Sequence, residues 1–131
     1  MGMPAAKQGD RITATDQHTV LIPSPTGTVP QVESLPFTGI IDSTLSATVS
    51  VDGRPAAVVG SMATNTPPHV PIGGTFAVEP TNKGVITSGS GTVFFDGLPA
   101  ARSADRAITC NDPVPAEVGT VVAESTVLIG G

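Results

Sequence analysis

One short phrase occurs three times in this chain, as Met3-Pro4-Ala5-Ala6-Lys7, Arg54-Pro55-Ala56-Ala57-Val58 and Leu98-Pro99-Ala100-Ala101-Arg102. Self-similarity of this kind restricts the fold before local structure is read, because each copy must serve an equivalent place in one architecture. Each copy also leads to a side chain that binds metals. His18 and His69 each follow their proline by fourteen positions, and Cys110 follows the third proline by eleven. They are the only two histidines and the only cysteine in the chain. Two equal offsets point to three similar units converging on one ion.

What surrounds the phrases is strand-like. Val49-Ser50-Val51-Asp52-Gly53-Arg54-Pro55 parallels Val93-Phe94-Phe95-Asp96-Gly97-Leu98-Pro99, so the unit reads as strand, Asp-Gly turn, phrase. The chain ends in Thr126-Val127-Leu128-Ile129-Gly130-Gly131, a strand with no phrase after it, while the first phrase has no strand before it. The last strand either supplies what the first copy lacks, closing a ring of three units, or frays as a terminus; pattern alone leaves both open. Further strands are expected at Thr19–Ile22, Gly39–Ile41, Leu45–Val51, Gly84–Thr87, Thr92–Phe95 and Val118–Ala123. In Leu45–Val51, alternation places Leu45, Ala47, Val49 and Val51 on one face. The best helical window, Pro99–Arg106, is worth one turn. The Pro/Ser/Thr-rich stretch from Pro23 to Pro36 reads as a loop or an irregular hairpin. Asn65 to Pro71 reads as a stiff segment able to hold His69.

Composition agrees with an all-β chain. There are 15 Gly and 13 Pro among 131 residues, with four Phe and no Tyr or Trp, so the core is built of Val, Ile, Leu and Ala. Net charge is −5 with six Lys and Arg, which disfavours nucleic-acid binding and attraction to anionic membranes. The apolar runs are too short to span a bilayer, and the first residues lack a signal peptide's apolar core. A lone cysteine excludes an internal disulfide.

Imidazole nitrogen and thiolate are ligands that zinc prefers, usually in a tetrahedral set of four. The long spacing is unlike a zinc finger, and its bland reading is two ordinary histidines and a small buried cysteine. The equal offsets favour the metal. No Gly-Xaa-Ser-Xaa-Gly elbow is present. Gly89-Ser90-Gly91 lacks the Lys-Ser/Thr of a phosphate loop and reads as a tight turn. Asp10, Asp16, Asp105 and Asp112 carry no spacing that favours acid–base pairing over turn caps or solvated positions.

The strings Pro4-Ala5-Ala6-Lys7-Gln8-Gly9-Asp10, Pro55-Ala56-Ala57-Val58-Val59-Gly60-Ser61 and Pro99-Ala100-Ala101-Arg102-Ser103-Ala104-Asp105 resemble PAAR-repeat proteins across nearly the whole chain. The resemblance implies an all-β fold, a small pointed cone of short strands and hairpins with pseudo-three-fold repeats and little or no helix, as a single domain over 1–131. It implies a structural, non-enzymatic tip that caps the trimeric, VgrG-like spike of a type VI secretion system or a related contractile machine, one tip monomer per trimer, and sharpens it for piercing an envelope. Effector cargo and transient membrane contact belong to the same expectation. So do synthesis in the cytoplasm without a signal peptide, delivery outside the cell, and no further domain after Gly131. His18, His69 and Cys110 would hold one structural zinc, or iron in its place. Two departures stand out. Lys7 and Val58 replace the arginine of the phrase, and no histidine follows Cys110, leaving Asp112, Asp16 or water as the fourth ligand. A small zinc hydrolase using the same ligands, and a metal-free β adaptor, are the competing readings.

Overall fold

Proline fixes its own φ and biases the residue before it to extended backbone, which suits the strand that begins each phrase. In the computed structural model, which describes residues 2–131, every regular element is a strand. They are β1 (Met3–Pro4), β2 (Arg11–Ser24), β3 (Gly27–Ser43), β4 (Ser50–Val51), β5 (Arg54–Pro55), β6 (Met62–Asn65), β7 (Thr75–Phe76), β8 (Lys83–Ile86), β9 (Phe94–Phe95), β10 (Leu98–Pro99), β11 (Arg106–Thr109), β12 (Ala116–Val122) and β13 (Leu128–Ile129).

The phrases form the base. β4 pairs with β5 and β9 with β10 across Asp52-Gly53 and Asp96-Gly97, whose φ angles of 48°, 81°, 54° and 79° give hairpin turns with both central residues left-handed. The third hairpin is made by the two ends of the chain, with Met3 opposite Ile129 and Pro4 opposite Leu128. The ring therefore closes. Inside it, Ala57 N–H donates to Ala6 O (2.9 Å), Ala101 N–H to Ala57 O (3.1 Å) and Ala6 N–H to Ala101 O (2.9 Å). Bridges Ala5–Arg102, Lys7–Ala56 and Val58–Ala100 repeat the same offsets around the ring. All six alanines have no solvent exposure, which is why the phrase tolerates nothing larger there.

Each phrase then turns upward. Asp10 accepts from Lys7 N–H, Ser61 from Val58 N–H and Asp105 from Arg102 N–H, at 3.0, 2.9 and 2.8 Å. Lys7 and Arg102 also form ion pairs with Asp10 and Asp105. In the second copy both partners change together: buried Val58 faces Ser61, and the turn keeps its backbone hydrogen bond without charge. Gly9 and Gly60 occupy the left-handed position of this turn, and Ala104 occupies it in the third copy with φ 77°.

Above the ring, β2, β3, β6, β8, β11 and β12 pair in that order, and β12 returns to β2, so the sheet is closed and every pairing is antiparallel; β7 adds to β2 outside the closure. Two strands come from each repeat. Ile12, Ile41, Ala63, Ile86, Ala107 and Val121 fill the interior. The next layer narrows to one ring, Phe37, because Gly39 and Gly84 leave it room: a Cβ on Gly39 would stand 2.6 Å from the Phe37 ring and one on Gly84 3.2 Å. The interior thus tapers from the base.

Three local expectations are corrected. Pro99–Arg106 holds no helical turn; Ala101 and Ser103 N–H donate to Ala57 O and Pro4 O of the other repeats, Ala100 and Ala104 N–H to Val93 O and Val121 O, and β11 begins at Arg106. Only Ser50 and Val51 of Leu45–Val51 are strand. Ser46 is buried and Ala47 exposed, because the Ser46 hydroxyl accepts from Val49 N–H (3.0 Å) while Asp96 accepts from Ser46 Oγ (2.6 Å) and Ala47 N–H (3.1 Å). Such side-chain bonds compete with a ladder. The stretch from Pro23 to Pro36 lies in a regular hairpin in which β2 and β3 stay in register from Arg11–Ile40 to Ser24–Gly27. Pro30 and Pro36 are accommodated because β3 meets its second partner, β6, only from Gly39 onward, and Pro23 lies past Leu21, where the β2–β7 pairing ends.

Candidate metal centre

In β2, Asp16 and His18 stand two residues apart and so face the same side of the strand, into the closed sheet above Phe37. Cys110 follows the end of β11. Its loop is fastened to β2, where Asp112 N–H donates to Gln17 O (2.8 Å), Gln17 N–H to Asn111 Oδ1 (2.7 Å) and Thr19 N–H to Asp112 Oδ2 (3.0 Å). His69 lies in the proline-bounded segment after β6, and its N–H donates to Asn82 Oδ1 (2.9 Å). These contacts bring His18, His69 and Cys110 together from three repeats, as their offsets predict, and add Asp16.

All four residues are buried, and one donor atom from each lies within 4.8 Å of the others. Donors bound to one tetrahedral zinc at about 2.0–2.3 Å stand about 3.3–3.8 Å apart, so the set is close to that size. Asp16 is oriented for the task. Its Oδ1 accepts from Thr109 Oγ1 (2.5 Å) and Asn111 Nδ2 (3.3 Å), and its Oδ2 lies 2.8 Å from His69 Nε2 and 3.5 Å from Cys110 Sγ. The two imidazoles sit with centroids 4.9 Å apart.

His18 carries the sharpest indication of an ion. It is 1% exposed, yet neither ring nitrogen has a hydrogen-bond partner. Asp112 Oδ2 is 3.7 Å from Nδ1, too far to bond it. A buried polar atom without a partner costs about 1–3 kcal/mol, and a coordinated ion removes that cost. Burial, and then the neighbouring His69, lowers the His18 pKa and keeps the ring a neutral ligand. Burial, followed by the Asp16 charge, pushes the Cys110 thiol up to about 11. An ion must therefore displace the thiol proton on binding. The donor set, the unpartnered imidazole and the anchored carboxylate fit a metal, and this cluster could hold one.

The carboxylates sort themselves by place. Asp10 and Asp105 cap base turns and form no acid–base pair. Asp112 flanks the cluster from outside. Ser90 sits in the tight turn expected at Gly89-Ser90-Gly91, its hydroxyl accepting from Thr92 and Val93 N–H. Sequence reasoning missed Thr109 and Asn111, which fix Asp16, and Glu33. Glu33 lies opposite His18 on β3, is buried, and accepts from Ile72 N–H (2.9 Å). Alternation running back from Val20 through His18 would have singled out Asp16. Glu33 was hidden in the stretch read as a loop or an irregular hairpin.

Comparison with known proteins adds one finding: a family model described as PAAR motif matches residues 22–116 and again 76–131. Among the curated proteins no match reaches significance.

Proposed function

The chain belongs to the PAAR-motif family, and from that premise we propose that it caps the trimeric spike of a contractile injection machine, its base on the spike and its narrow end leading. The observation that carries this reading is the ring of three equivalent hairpins joined by equivalent backbone bonds. It lets one chain offer an approximate three-fold face to a three-fold partner. Two of the three hairpins expose apolar side chains for such contact, Met3 and Leu128 on one and Phe94 and Leu98 on the other.

At the other end His18, His69 and Cys110, with Asp16 as the fourth donor, would hold zinc, with iron as the alternative. When bound, the ion ties three distant segments where the interior has narrowed too far for an apolar core. Asp16 fills the position that a catalytic site leaves to water, so the role is structural and the protein is no enzyme. Its work is mechanical: a stiff tip passes the force of contraction to the target envelope, with membrane contact lasting only as long as the stroke. The chain would be made in the cytoplasm and leave the cell on the particle, with effector cargo where the machine carries it.

Native mass spectrometry of the chain with a trimeric spike protein tests the capping role. One chain per three spike chains is expected, and the pair Leu98→Asp and Leu128→Asp should abolish the complex while the circular dichroism spectrum is kept. Another stoichiometry, or undisturbed binding by that folded variant, would contradict it.

A further inference from the structure

Two clefts reach the buried cluster, and they differ in charge. One, of about 220 Å³, approaches His69 between Leu35, Pro36, Pro68 and Val70, and no carboxylate lines it. The other, of about 150 Å³, approaches His18 and Cys110 between Val78, Glu79, Asp112 and Pro115. Glu79 is exposed at this second cleft. Asp112 lies deeper, its side chain 13% exposed, with Oδ2 3.7 Å from the unpartnered Nδ1 of His18. Prolines 80, 113 and 115 form much of the wall, which limits how far it widens.

We propose that this second cleft is the path by which a divalent cation reaches the His18–Cys110 side of the centre, with Asp112 as the carboxylate that receives it. The proposal rests on the metal reading above. Carboxylates in a narrow, low-dielectric cleft concentrate cations and raise capture rates, by about 10–1000-fold in steered systems. Asp112 is positioned for a handover: Thr19 N–H fixes its Oδ2 (3.0 Å), and the first ligand met beyond it is His18. The His69 cleft has Thr38, Asn65 and Thr66 among its prolines and apolar residues but no carboxylate to draw in a hydrated cation.

The test uses the metal-free full chain and cobalt(II), whose thiolate charge-transfer band reports ligation by Cys110. Stopped-flow mixing should show uptake slowed about tenfold in Asp112→Asn, with release to a chelator no faster than in the unmodified chain. Val78→Trp at the mouth should slow uptake and release together. Val70→Trp beside the other cleft should change neither. Wild-type uptake rates in both Asp112→Asn and Val78→Trp would overturn the proposal, as would slowing confined to Val70→Trp. Faster release with unchanged uptake in Asp112→Asn would also overturn it, since Asp112 would then only hold His18. Absence of the band at equilibrium in the unmodified chain would instead refute the metal centre, and this path with it.

Discussion

At the base, three segments remote in sequence are joined by main-chain hydrogen bonds; at the narrow end, three equally remote segments are joined by side chains. The base bonds need only small residues, so Ala6, Ala57 and Ala101 recur and the geometry repeats around the ring. The cluster needs particular chemistry from each contributor, so it is asymmetric: Asp16 and His18 from one repeat, His69 and Cys110 from the others. Proline usage divides in the same way. Three of the 13 prolines belong to the phrases, and the other ten lie in the β2–β3 hairpin and the loops around the cluster. There they lower the entropy lost on ordering, where few apolar contacts are available to offset it. Symmetry serves the end proposed to meet a partner, and individual side chains serve the opposite end.

Removing the ion gives the largest expected separation of the two ends. Structural zinc is worth on the order of 10 kcal/mol in small peptides. Chelation should therefore speed amide exchange around Asp16, His69 and Cys110 while Ala6, Ala57 and Ala101 stay protected. Equal loss at both ends, followed by hydrogen-exchange mass spectrometry, would break the comparison. The converse lesion is Ala57→Leu, which forces a branched side chain into the alanine ring and should cost about 3 kcal/mol, read as a lowered denaturation midpoint.

pH sharpens the contrast, because the perturbed buried groups belong to the narrow end. In the metal-free chain His18 is depressed below 6.5, so the unfolded state takes up its proton first and stability falls as pH drops through that range. Cys110 is raised from 9.0 to about 11, so the unfolded thiol ionises first and stability falls again as pH rises from 9 towards 11. Chemical denaturation across pH should show both flanks. Cys110→Ser should remove the alkaline one, and a flank that persists would assign it elsewhere. The smallest effect expected is a gain. Ala104 holds the left-handed φ that glycine takes in the other two turns and is exposed, so Ala104→Gly should stabilise by about 0.5–1 kcal/mol in thermal melts.

The base was legible in its local determinants, Asp-Gly for the turns and Pro-Ala-Ala for the ring, while the pairing of the terminal strand with the first phrase, which pattern left open, is a contact between chain ends that only the fold shows. The second phrase looked degenerate only until Val58 and Ser61 were seen to change as a pair. The narrow end was legible in three members of its cluster, since His18, His69 and Cys110 are the only histidines and cysteine in the chain and the two histidines stand at equal offsets. Asp16 shared the fourth place with Asp112 and water until β2 was known to run unbroken through it. The β2–β3 hairpin was obscured by prolines, whose free edge is a tertiary fact. The Ser46 turn was obscured by an alternation that a hydroxyl overrode.

Metal analysis of the purified chain tests the central claim most directly. About one equivalent per chain is expected, falling to background in His18→Ala/Cys110→Ala together with a lowered melting temperature. Less than about half an equivalent in the unmodified chain, with the double variant melting at the same temperature, would contradict a metal-held tip.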